Sequence, residues 1–246
     1  MQPASLQLTD HDVHVWWAAL DAPRQTLPGR IALLSADERA RAERFHFERH
    51  RQRYIAGRAC LRQLLGGYLG LNPARIEFEY SPLGKPALKT TFAGRVLQFN
   101  LSNSEDRAVY IFSWRRLVGV DLELVHPMPD IDDFARQFFC EAERALVHSL
   151  SGEHKIKTFF ELWTCKEALL KAMGTGLTRP INEVEVALAD GRARLLAIAG
   201  DPSPAVNWQL SLFQPAPGYQ AALAVEGSGF KSTFYQAGAD FDPAHP

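Results

Sequence analysis

Two acids two positions apart, Asp121 and Glu123, sit inside the apolar run Gly-Val-Asp-Leu-Glu-Leu-Val at 119–125. The run reads as a strand, in which residues two apart share a face, so the carboxylates stand roughly 7 Å apart by strand rise. Val118, Val120, Leu122 and Leu124 take the opposite face, which is core. Like charges at that spacing repel unless something positive lies near them. One reading is a strand edge turned to solvent. The other is half of a hard-cation site, since Mg²⁺ favours a few carboxylates together with phosphate and water oxygens.

A second cluster lies in Phe-Phe-Glu-Leu-Trp-Thr-Cys-Lys-Glu-Ala-Leu-Leu-Lys-Ala-Met-Gly-Thr-Gly-Leu, residues 159–177. Its apolar positions predict a buried helix that stops at Gly174 and Gly176. Glu167 and Lys171 are four apart in the order that favours a surface ion pair, worth about 0.3–0.5 kcal/mol. Beside so much apolar surface they could instead complete a metal and phosphate site with Asp121 and Glu123. Lys166 is either a further phosphate contact or a surface charge.

Three other stretches carry polar chemistry. Ser-Pro-Leu-Gly-Lys-Pro (81–86) is a turn that holds Lys85 rigidly before Pro86. Ser102, Asn103 and Ser104 end the strand Phe-Asn-Leu-Ser-Asn-Ser, where small polar groups bind phosphate or cap a turn. Residues 39–58 hold Arg39, Arg41, Arg44, Arg49, Arg51, Arg53 and Arg58, a mostly solvated segment offering local positive charge to an anionic ligand or acidic protein. Its histidines, His46 and His50, have no metal-ligand spacing.

The elements that must position these groups occur in a repeated order. Residues 13–20 predict a strand, and Ser35 with Glu38 forms a capping box that starts a helix. A longer helix follows over 51–70, then strands over 75–81, 96–102 and 108–114. From 117 the order of strand, short helix, long helix and strands recurs, with two strands around the Asp190-Gly191 turn and a hairpin over 208–225. The expectation is an α+β fold of two similar halves, 1–116 and 117–227, with residues 228–246 as a polar, Gly- and Pro-containing tail that packs loosely or is mobile.

Bulk properties narrow the class. The chain has 246 residues, 46% hydrophobic and 22% charged, ordinary globular values. A net charge of −1 gives no whole-molecule attraction to nucleic acid. Three widely spaced cysteines form neither a disulfide framework nor a zinc pattern, which suits a reducing compartment. No secretory leader and no stretch long enough to cross a membrane is evident. A cytoplasmic protein is expected.

Gly-Lys-Pro, Phe-Asn-Leu-Ser-Asn-Ser, Gly-Val-Asp-Leu-Glu and Trp-x-x-Lys-Glu-Ala-x-x-Lys-x-x-Gly-x-Gly-Leu, in this order, resemble the 4'-phosphopantetheinyl transferase superfamily in its long, surfactin-synthetase-activating type. The likeness runs from about Ser35 to Leu177. It implies an enzyme, a holo-carrier-protein synthase, that moves 4'-phosphopantetheine from coenzyme A to a serine of an apo acyl or peptidyl carrier and releases 3',5'-ADP. It implies a pseudo-dimer of two α/β halves, with the site in the cleft between them and the chain working as a monomer. By the same resemblance Asp121, Glu123 and Glu167 are the Mg²⁺ carboxylates and Lys171 contacts the diphosphate. Lys85, Pro86, Ser102, Asn103 and Arg41 face the coenzyme, Arg41 at its 3'-phosphate. Glu143 lies near the metal as part of the base system. One position departs: the family commonly has Ser-His where this chain has Ser102-Asn103, and Asn103 cannot carry charge. The competing expectations are a non-catalytic binder of coenzyme A or carrier protein with a degenerate site, and a metal-dependent phosphohydrolase.

Overall fold

The computed structural model describes residues 6–21, 23–92, 94–175 and 179–238. Gly176 and Leu177 of the helix-ending motif, and 239–246 of the expected tail, lie outside the described residues. The elements in chain order are β1 (Asp12–Ala19), α1 (Leu27–Leu33), α2 (Ala36–Ala42), α3 (Glu48–Leu69), β2 (Phe78–Tyr80), β3 (Pro86–Leu88), β4 (Gln98–Ser104) and β5 (Arg107–Ser113). They continue with β6 (Val118–Leu124), α4 (Ile131–Phe138), α5 (Glu141–Ser149), α6 (Gly152–Met173), β7 (Val184–Ala189), β8 (Arg192–Ile198), β9 (Trp208–Phe213), β10 (Tyr219–Glu226) and β11 (Lys231–Ala237).

Alternation along the strands builds a mixed α+β stack. β1 and β5 bury both faces. Val13, Val15, Val109 and Ile111 meet Val118, Val120, Leu122 and Leu223 between two sheets. Trp16, Ala18, Tyr110 and Phe112 pack against Leu61, Leu64 and Leu65 of α3. On the far side, Ala222 and Ala224 of β10 pack against Leu162, Leu169 and Leu170 of α6. The layers therefore run α3, sheet β11-β1-β5-β4, sheet β6-β10-β9, α6. β4 and β6 are each the last strand of their sheet.

The local start signals act as their chemistry dictates. Ser35 and Glu38 form the capping box of α2. α6 ends where Gly174 takes φ 71°, a left-handed conformation that favours glycine. The strand expected over 75–81 shrinks to Phe78–Tyr80. The larger difference lies in the expected loose tail. Lys231–Ala237 forms β11, which pairs in parallel with β1, Val13 opposite Ser232 and Trp17 opposite Gln236. Tyr235 stacks on Trp16 at 4.5 Å between ring centroids. A polar edge strand lacks the apolar run that marks an interior one, so its composition alone resembles a loop. Among the described residues no helix is long and apolar enough to cross a membrane.

Candidate functional site

β6 and α6 bring the two acidic motifs together. Gly119, Asp121 and Glu123 share the β6 face turned to α6, and Gly119 lets the helix backbone come close at Ala168 and Ala172. Asp121 is 3% exposed, so the solvent-edge reading of this strand does not hold. Lys171 does not pair with Glu167 along the helix surface; its Nζ donates to Asp121 Oδ1 at 2.5 Å and to Ser102 Oγ at 2.9 Å. Ser102 Oγ in turn donates to Asp121 Oδ1 at 3.0 Å. Ser104 Oγ donates to Glu123 Oε2 at 3.1 Å. Burial, then the neighbouring Asp121 charge, pushes the carboxyls of Glu123 and Glu167 above the usual range.

Two buried oxygens here, Asp121 Oδ2 and Glu167 Oε1, have no hydrogen-bond partner. Buried polar atoms normally find one. The donors are all hard oxygens, which suits Mg²⁺. As placed, however, no three His, Cys, Asp or Glu side chains among the described residues converge closely enough to hold one ion. The positive charge on Asp121 is the Lys171 ammonium.

A cleft of 360 Å³ opens on the α3 side of β4 and is lined by Arg41, Tyr54, Arg58, Pro86 and Asn103, among others. Strand alternation divides the work, sending Leu101 and Asn103 to the cleft and Ser102 and Ser104 to the acids. The cleft's cations differ in commitment. Arg53 is tied to Asp21 at 2.7 Å and Glu105 at 2.8 Å. Arg58 Nε donates to the buried Glu38 at 2.6 Å, which Arg62 also engages at 2.6 Å. Arg41 has no carboxylate partner among the described residues and lies 5.7 Å from the Tyr54 ring centroid. The role of Glu38 in orienting Arg58 escaped sequence reading, which saw only its cap. The four-residue spacing of Arg58 and Arg62, on one helix face, was the available signal.

Three expected residues sit differently. Glu143 is 2% exposed, and both of its oxygens are engaged. Its Oε2 accepts from Cys140 N in the cap of α5, its Oε1 from Val186 N at 2.7 Å, and Lys166 Nζ lies 2.5 Å from Oε2. That arrangement holds α5, α6 and β7 together. Lys166 is fully buried, so it is neither a phosphate contact nor a surface charge. Burial pulls its pKa down, and the Glu143 charge opposes that. Lys85 donates to the carbonyls of Lys171 at 2.5 Å and Ala172 at 3.1 Å. It thereby caps the negative end of α6, where a cation is favoured, and burial lowers its pKa.

Buried acids around a lysine, beside an arginine-lined cleft, suit an enzyme that handles a phosphorylated ligand. A family model described as the 4'-phosphopantetheinyl transferase superfamily matches residues 117–224. One described as 4'-phosphopantetheinyl transferase, N-terminal, matches residues 21–113. The chain is 42% identical to the 4'-phosphopantetheinyl transferase HetI of Nostoc sp., over 95% of its own length and 96% of that protein's. It is 30% identical to the 4'-phosphopantetheinyl transferase psf-1 of Bacillus pumilus, covering 77% of this chain and 78% of that one. Among solved structures, a holo-(acyl-carrier-protein) synthase from Bacillus anthracis in complex with CoA matches with a TM-score of 0.38 and 24% identity, covering 45% of this chain and 96% of that one. The chain belongs to the 4'-phosphopantetheinyl transferase superfamily, in its long type, and is a transferase of that class.

Proposed function

We propose that the protein transfers the 4'-phosphopantetheine arm of coenzyme A to a serine of an apo carrier protein, with Mg²⁺ held by Asp121, Glu123 and Glu167 once their carboxylates turn toward one ion. The observation that carries this reading is the pair of buried, unpartnered oxygens, Asp121 Oδ2 and Glu167 Oε1, beside the Lys171 ammonium. Bound there, Mg²⁺ would screen the negative charge of the coenzyme's diphosphate.

The chain's own groups account for the remaining chemistry. Lys171 Nζ would stabilise charge growing on the leaving phosphate oxygen. The acceptor serine's proton would pass to a carboxylate, Glu167 through the oxygen not on the ion or Glu143 through water. The bond from serine Oγ to phosphorus forms as the bond to the departing 3',5'-ADP breaks. Arg41, the cleft cation without a carboxylate partner, suits the 3'-phosphate, with Pro86 and Asn103 lining the same cleft. Asn103 would make a neutral contact there. Lys85 would reach the coenzyme only by leaving the α6 carbonyls.

In this reading the two sheets belong to two similar halves, the ligand spans their seam, and the protein works as a cytoplasmic monomer. Its acceptors are carriers of fatty-acid, polyketide or nonribosomal peptide synthesis. The test is a mass gain on an apo carrier incubated with the full chain, coenzyme A and Mg²⁺. Binding without a mass gain would mark a degenerate site, and 3',5'-ADP release without any acceptor would mark a phosphohydrolase. Asp121→Ala is expected to fold and to transfer nothing; wild-type transfer by it would refute the metal assignment.

A further inference from the structure

β4 and β6 run side by side at the seam of the two sheets, yet no backbone ladder joins them. A free strand edge leaves N–H groups in need of partners. Here side chains of β4 supply them. Asn100 Oδ1 accepts the Val120 N–H at 3.0 Å. Ser104 Oγ accepts the Leu124 N–H at 3.1 Å and donates its own O–H to Glu123 Oε2 at 3.1 Å. The two backbone contacts fall on either side of Asp121 and Glu123. The opposite edge of β6 is fixed by β10, with Asp121 across from Ala222 and Glu123 across from Gln220.

Each bridging group is used to capacity in a way that few residues can copy. Asn100 is 5% exposed, so its carbonyl replaces a missing sheet partner where water does not reach. The Ser104 hydroxyl serves as acceptor from the backbone and donor to the acid at once, which needs a hydroxyl at that reach. An apolar side chain there would leave the Leu124 N–H unpaired and Glu123 held by the Trp163 side chain without the Ser104 hydroxyl.

We propose that Asn100 and Ser104 are positioning residues of the transfer reaction: they hold β6 one side-chain's reach from β4, and Ser104 aims the Glu123 carboxylate. The proposal rests on the reading of Asp121, Glu123 and Glu167 as ligands of a divalent ion. Neither residue touches the reacting atoms, and both act through β6.

The test compares Ser104→Thr with Ser104→Val in the full chain, since the two have the same shape and differ by the hydroxyl. Asn100→Ala tests the second bridge, read against Asn100→Asp, which keeps the accepting oxygen. Three quantities are read: kcat and KM for coenzyme A in carrier modification, Mn²⁺ affinity from the paramagnetic signal of the free ion, and Tm. Removing groups that orient a metal ligand costs about 10- to 100-fold in affinity or activity. Ser104→Val is expected to lose that much in both kcat and Mn²⁺ affinity, with KM for coenzyme A little changed. Ser104→Thr is expected to recover both, and Asn100→Ala to lose kcat where Asn100→Asp keeps it. A Ser104→Val protein with a lowered Tm but wild-type kcat and Mn²⁺ affinity would overturn the proposal and leave the function intact. A wild-type protein that binds no Mn²⁺, alone or with coenzyme A, would overturn the metal reading and this proposal with it.

Discussion

Replacing Gly119 by alanine tests whether the close approach of α6 to β6 builds the site. An added methyl would stand 2.5 Å from Ala172 N and 2.9 Å from Ala172 Cα, and closer still to Ala168 O. Ordinary contact begins at 3.4 Å, and every obstructing atom belongs to the helix backbone, so no side chain can swing aside. The helix must retreat by about 1 Å, at a cost of about 1–3 kcal/mol for overpacking. Glu167 and Lys171 adjoin Ala168 and Ala172 in the chain, so they move with the helix, whereas Asp121 stays with the strand. Lys171 now meets Asp121 at 2.5 Å. Misplacing reacting groups by about 1 Å costs about 10²-fold in rate. The expected result is therefore a Tm lower by several degrees and a kcat lower by about two orders of magnitude. KM for coenzyme A should change little, because Arg41, Tyr54 and Asn103 stand on other elements. Transfer kinetics with thermal melts of the same preparation decide it. A Gly119→Ala protein with wild-type kcat and Tm would show that the helix position is not what sets the site.

Other outcomes follow from the same geometry. Lys166→Ala leaves Glu143 buried without its charge partner and should cost about 3–5 kcal/mol in urea unfolding, and the apolar pair Lys166→Met with Glu143→Leu should not restore stability, because the Cys140 and Val186 N–H groups then lose their acceptor. Arg41→Ala should raise KM for coenzyme A with kcat nearly unchanged, and should narrow the preference for coenzyme A over its dephospho form, as measured by paired kinetics. Burial pushes the Cys60 thiol up to about 11 and raises that of Cys165 further. Neither forms appreciable thiolate near pH 8, so a thiol reagent should modify only the partly exposed Cys140 in the native protein and all three after unfolding.

Much of this protein was legible in its residues because the relevant signals are local. The period-two pattern of β6 separates Val118, Val120 and Leu122 from Asp121 and Glu123, and the apolar set faces the core it was read to face. Ser35 with Glu38 and the glycine at 174 mark helix ends through their own backbone chemistry. The ordered motifs sufficed to identify the family. What periodicity cannot state is which group stands across from a given side chain, because that depends on packing between segments far apart in the chain. Lys171 could have met Glu167 one turn away, yet it reaches Asp121 on another element. Lys166, read as either a phosphate contact or a surface charge, pairs with Glu143 once the layers close over both. β11 became a strand only because β1 offered it an edge. The bridge from Asn100 and Ser104 to β6 exists only where two sheets meet without a ladder. A residue's type and spacing determine what it is able to bond; tertiary packing decides which of those bonds forms.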